Sequence, residues 1–216
     1  MTPLGAGPAA DADPPGTTGG SAVLVAGCVL VAWTLVAAVL IRLHPEANAL
    51  DRWGTSLAPA DPHSAFDLKV AGVRTVVLAG GSVLAAVVAV GRDRWRALAC
   101  LLGPAATALG VEAVLKPVIA RRFEAVLSFP SGTVAVVAAV AAAWALAVPG
   151  WARWPVVALG ALAVVLECRA VVALQWHYPS DALGGAVFGV GTVLLVDGVL
   201  HLLGPPAARL WGGGPP

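Results

Sequence analysis

The chain alternates long apolar blocks with short polar ones, and the blocks have the length needed to cross a membrane. Apolar runs occupy about residues 21–41, 70–90, 97–115, 130–148, 155–176 and 182–203. A hydrocarbon core of about 30 Å takes about 20 helical residues. The pattern therefore predicts an all-α polytopic membrane protein, six transmembrane helices in one bundle. Arg74 falls in the first turn or so of the second block, where its side chain can snorkel toward the headgroups. Pro45, Pro59 and Pro62 break any long helix in the polar stretch 42–69. Residues 1–20 are rich in Gly, Pro, Ala and Asp and carry no Lys or Arg. They bury little and lack the basic start of a secretory signal, so they read as a disordered tail, as does 204–216, leaving 21–203 as the membrane domain.

Only 12% of the 216 residues are charged and 59% are hydrophobic, against about 25% charged in soluble domains. The net charge of +1 is spread thinly, with no basic stripe to follow a nucleic-acid backbone, so nucleic acid is not an expected partner. Cys28, Cys100 and Cys168 sit inside apolar blocks without metal-ligand spacing and read as small buried hydrophobes. Trp53, Trp95, Trp151, Trp154 and Trp176 fall near block ends, where indoles favour the membrane interface. Gly184, Gly185 and Gly189 mark a seam where helix backbones approach closely.

Counting spans places the end of the third, the start of the fourth and the end of the fifth on one membrane face, so Lys116, Ser131 and His177 share it. The short turns 91–96 and 149–154 on the other face carry Arg92, Arg94, Arg96 and Arg153. The longer loops are less basic by density, which puts the short turns in the cytoplasm and the polar face outside it, with the cell membrane as the expected location.

Three groups on that face suggest chemistry. Lys116, with Arg121 and Arg122 close behind, offers cations, and Glu112 one turn earlier is placed to hold the lysine. The bland alternative is a set of interfacial cations that snorkel to headgroups. Pro130-Ser131-Gly132-Thr133 reads as the start of a helix, whose unpaired N–H groups suit a phosphate, although an ordinary capped helix looks the same. His177 and Asp181, four residues apart, suit an imidazole nucleophile whose tautomer a carboxylate fixes. Glu167 and Arg169 inside the fifth span read as structural, paired with neighbouring spans, and Asp197 and His201 near the opposite face carry no assigned chemistry.

A lysine at a span end, Pro-Ser-Gly at the next span start and His-Tyr-Pro-Ser-Asp after the following span together resemble the type 2 phosphatidic-acid phosphatase superfamily over about residues 110–190. The resemblance implies six spans, an active site at the extracytoplasmic face, no metal or other cofactor, and a lipid phosphate or diphosphate as substrate. It implies His177 as a nucleophile forming a phospho-histidine and Asp181 as its orienter. Lys116, Ser131, Gly132 and Thr133 would lie around the phosphate. The family's first motif has Arg-Pro where this chain has Phe123 and Glu124, so Arg121 or Arg122 would substitute. The usual general-acid His is Thr133 here, with His63 or a water as another proton source, and Val171 stands at the family's third-motif Arg. The expected activity is hydrolysis of a phosphoric monoester or diphosphate, with polyprenyl diphosphates favoured. A weakened relative that binds anionic headgroups or a membrane partner is the alternative, and a small transporter is a third reading.

Overall fold

The computed structural model describes residues 17–57, 74–123 and 126–204, whose regular structure is helical apart from one two-stranded antiparallel ladder. In order they form α1 (Thr17–Leu43), α2 (Ala49–Ser56), α3 (Arg74–Val90), α4 (Arg94–Leu109), a π-helical turn (Gly110–Leu115) and α5 (Lys116–Ile119). β1 (Arg122–Phe123), β2 (Val126–Leu127), α6 (Gly132–Ala147), a 3₁₀ turn (Gly150–Ala152), α7 (Arg153–Ala173) and α8 (Pro179–Leu203) follow.

Among the described residues, four helical stretches are long and apolar enough to cross a membrane: Gly20–Leu43, Arg94–Ile119, Gly150–Ala173 and Pro179–Leu203. α3 and α6, of 17 and 16 residues, rise only about 25 Å. The reason is visible for α6. Ala135, Ala138, Ala139 and Ala143 are fully buried among α3, α4, α7 and α8, and a helix wrapped by protein has little lipid thickness to match. Val25, Val29, Val36 and Leu40 of α1 point outward, as expected of a helix with lipid on one side. Cys28 is exposed there, whereas Cys100 is buried and Cys168 half-buried, so only one cysteine meets the expectation in full.

α8 is the hub and packs on α1, α4 and α6. A Cβ at Gly185 would strike the Ser131 carbonyl, and one at Gly189 the Ala135 carbonyl. Close approach of α6 and α8 thus requires both glycines, at the seam the sequence suggested. Some boundaries differ from expectation. Residues 17–20, read as tail, already belong to α1, and the third helical block continues through the π turn to Ile119 instead of stopping at Leu115. The loop 116–129 is largely structured, by α5 and the ladder pairing Arg122 with Leu127. His63, Lys69, Glu124 and residues 205–216 lie outside the described residues.

At the end of the bundle away from the polar loops, Asp93 caps α4 by accepting from the Trp95 and Arg96 amides at 2.9 and 3.1 Å. Its other oxygen meets His201 Nε2 at 2.7 Å. Burial pushes the Asp93 carboxyl up, but His201 and the Arg96 amide outweigh it and hold the group below its ordinary value. His201 Nδ1 donates to the Asp197 carbonyl at 2.7 Å, and Arg96 Nε lies 3.6 Å from the Asp197 carboxylate. These groups fasten α8 to the start of α4.

Candidate functional site

The polar end is organised by Arg121. Ala120, in the left-handed region at φ 55°, ends α5 and turns the chain so that the next side chain enters the protein. The guanidinium is 1% exposed, and its five N–H groups meet five protein acceptors. Nε donates to the Pro45 carbonyl at 3.1 Å. Nη1 donates to Ser180 Oγ at 2.8 Å and Asp181 Oδ1 at 2.5 Å. Nη2 donates to Asp51 Oδ2 at 2.7 Å and the Glu46 carbonyl at 3.3 Å. The Tyr178 ring covers it at 4.4 Å. Asp51 in turn accepts from the Ser180 amide at 2.9 Å and the Asn48 amide at 3.2 Å. Burial favours the neutral acid, yet these donors hold the Asp51 carboxyl below its ordinary 3.8.

This corrects one expectation for phosphate binding. Arg121 has every N–H committed to protein, so it acts as a clamp joining the segment after α1 to the start of α8. Arg122, its neighbour, is exposed on β1, while Phe123 packs edge-on against Tyr178 with ring centroids 4.5 Å apart.

His177 is buried, and its Nδ1 lies 2.8 Å from the Ser128 carbonyl oxygen. A carbonyl only accepts, so Nδ1 carries the proton and the lone pair of the neutral ring resides on Nε2. Asp181 was expected to fix this tautomer. Its oxygens instead take Arg121 and the Tyr178 amide, the latter at 3.0 Å, and its main-chain carbonyl accepts from the Ser131 amide at 2.9 Å. Asp181 therefore braces the loop that carries His177, and Ser128 aligns the ring. Ser128 is itself tied by its amide to the Arg121 carbonyl at 2.9 Å.

The start of α6 lies in the same constellation. Ser131 is the N-cap residue in extended conformation, and its hydroxyl is 3.4 Å from that of Thr133. A Cβ on Gly132 would collide with Glu112 Oε1, so the absence of a side chain admits a carboxylate to the helix start, where the dipole and unpaired N–H groups favour negative charge. The same oxygen accepts from Lys116 Nζ at 2.6 Å. The expected Glu112–Lys116 pair is present, and it sits against Gly132. The π turn contributes to this placement, since the Lys116 amide bonds back to the Val111 carbonyl and the extra residue per turn re-aims both side chains. From here a groove of about 500 Å³, with Leu78, Val83, Leu101 and Val136 among its walls, runs along α3, α4 and α6 and ends on Glu112, Gly132 and Thr133.

Glu167 is buried whereas Arg169 is exposed and lines a different groove, so the two lie on different sides of α7. Asp51 and Ser128 were not anticipated from sequence. Asp51 carries one local signal, a capping box in which Asn48 Oδ1 accepts from the Asp51 amide at 2.9 Å, but Ser128 acts through its backbone and has none. Scans against family models, curated proteins and solved structures each return no match.

Proposed function

We propose that this protein is a six-span lipid phosphatase that attacks a phosphate or diphosphate through His177 Nε2, at the extracytoplasmic face of the cell membrane. The observation that carries the reading is the Ser128 carbonyl on His177 Nδ1, which puts the lone pair of the neutral ring on Nε2, in a loop tied to the start of α6 by the Ser131 amide on the Asp181 carbonyl. Lys116, Arg122 and the Ser131–Thr133 amides are the phosphate-binding groups, and Arg121 and Asp181 hold the loop. The likeness of the motifs to type 2 phosphatidic-acid phosphatases supports the same reading.

The reaction has two displacements. His177 Nε2 attacks phosphorus in line as the bond to the lipid oxygen breaks and that oxygen leaves, taking up a proton where its basicity demands one. Water then attacks the phospho-histidine, the P–N bond breaks, Nε2 recovers its lone pair and inorganic phosphate departs. Phosphate binding by Lys116 follows displacement of the Glu112 carboxylate, a small motion for an exposed side chain. The decisive experiment is phosphate release from lipid phosphates by purified protein. The wild type is expected to turn over and His177→Ala to match a no-protein blank; equal activity in both would end the catalytic reading.

A second reading, binding of anionic headgroups without turnover, is favoured by Thr133 at the general-acid position. Topology is tested separately. A cysteine tag at Ser56 is expected to react with an impermeant reagent on intact cells, and one at Arg92 only after permeabilisation. The opposite pattern would move the site to the cytoplasmic face.

A further inference from the structure

At the end of the bundle away from the polar loops, four charged side chains converge where α8 ends and α4 begins. Asp93 and Arg96 come from the start of α4, and Asp197 and His201 from the last two turns of α8. The imidazole joins the two helices. Its Nδ1 lies 2.7 Å from the Asp197 main-chain oxygen and its Nε2 lies 2.7 Å from Asp93 Oδ2. A carbonyl oxygen only accepts, so Nδ1 carries a proton. The Asp93 carboxyl takes two amides on its other oxygen and is held ionised, so it accepts as well and Nε2 also carries a proton. A ring that donates from both nitrogens is an imidazolium.

The charges then balance, two carboxylates against a guanidinium and an imidazolium. Asp197 depends on that balance, because it is 1% exposed and its Oδ1 has no hydrogen-bond partner among the described residues. Its charge is met only at longer range, by Arg96 Nε at 3.6 Å and His201 Nδ1 at 3.5 Å. A neutral imidazole has a single N–H, so loss of one proton removes a bond from His201 and leaves one negative charge in excess beside a buried carboxylate, which is costly. Solvent reaches the ring, which is half-buried. Other charges are distant from it or turned outward. α1 passes the ring at Gly20 and carries no charged residue between Thr17 and Ile41. Arg92 and Arg94 are exposed, with Arg94 over the Trp95 ring, and Cys100, one turn beyond Arg96, gives its thiol to the Ala143 carbonyl.

We propose that His201 is a proton-operated clasp, whose doubly protonated ring holds the end of α8 on the start of α4 and whose loss of one proton loosens that joint. α4 runs on through the π turn to Glu112 and Lys116, and α8 begins directly after the loop that carries His177. The clasp therefore fixes the far ends of the two helices that lead to the candidate site. It does not depend on the phosphatase reading.

The test uses the full chain in neutral detergent, with histidine labelled by nitrogen-15 in the ring. At about pH 7, where a free imidazole is mostly neutral, nitrogen NMR is expected to show one ring protonated on both nitrogens, and that signal to be absent from His201→Gln. Thermal unfolding gives the second readout. Above about pH 6.5 an unfolded histidine sheds its proton, so a folded state that keeps it loses stability as the pH rises. Wild type is expected to unfold about 5 °C lower at about pH 9 than at about pH 6. His201→Gln, which keeps a donor for Asp93 but does not titrate, is expected to show no such fall. Asp93→Asn keeps a good N-cap residue and the imidazole while removing the charge opposite it; it is expected to share the flat profile, and it decides the matter should His201→Gln fold poorly. His44→Gln, at an exposed histidine elsewhere, is expected to fall as wild type does. An unprotonated nitrogen on His201 at about pH 7, or a fall in either clasp variant equal to that of wild type, would overturn the proposal.

Discussion

Arg121→Met is expected to destabilise the protein by about 3–5 kcal/mol, the cost of breaking a buried ion pair and leaving its partners uncompensated. Asp51 and Asp181 are both fully buried, and each loses its guanidinium contact in this variant. The Pro45 and Glu46 carbonyls lose a donor as well. Arg121→Lys keeps the charge but has a single ammonium in place of a five-donor fork, so it should fall between the two. Adding Asp51→Asn to Arg121→Met should restore part of the loss, because one uncompensated charge is removed. Asp51 makes a contribution to the pH dependence whose sign can be worked out. Asp51 has a folded pKa below its unfolded value, so its contribution is full above about 3.8 and disappears as the pH falls through the lower folded value. Denaturant unfolding in mild detergent measures all of these. A loss under about 1 kcal/mol, combined with weakened vanadate binding, would return Arg121 to the role of a phosphate ligand.

How far the sequence reaches can be judged from these residues. The helical architecture and four helices long and apolar enough to cross a membrane follow from block length, because the physics of burying a helix in hydrocarbon is local and additive along the chain. The Glu112–Lys116 pair follows from helical spacing, and the seam at Gly185 and Gly189 from small-residue packing. The clamp does not follow, since Arg121 meets Asp51 across 70 positions and Asp51 meets the Ser180 amide across 129. Nothing in composition or periodicity encodes which buried carboxylate a given arginine finds. The alignment of His177 is harder still. The partner is the main-chain oxygen of Ser128, 49 positions away, and any residue could supply a carbonyl there. Spacing makes Asp181, four residues away, the natural orienter, but Arg121 and the Tyr178 amide take its oxygens, an outcome set by long-range packing that local spacing does not encode.

Thr133 leads to the second large effect. A lipid monophosphate must expel a poorly stabilised alkoxide, and the loss of a positioned acid typically costs 10²–10⁴-fold, so hydrolysis of phosphatidic acid should be slower by about that factor than in a site with an imidazole there. A diphosphate expels a phosphate monoester, already a stable anion, and depends far less on protonation. Thr133 is half-buried at the first turn of α6, lining the apolar groove beside Glu112, and its hydroxyl cannot serve as an acid near neutral pH. On the proposed mechanism, wild type should therefore favour polyprenyl diphosphates over phosphatidic acid. Thr133→His should raise monophosphate turnover more than diphosphate turnover, and the monophosphate rate should acquire a limb that falls as the new imidazole loses its proton. Steady-state kinetics on both substrates across pH 5 to 8, the range in which an imidazole changes charge, gives the comparison. Wild-type preference for the monophosphate, with no gain from Thr133→His, would mean that another group already supplies the proton, and His63→Ala would then be the variant to measure.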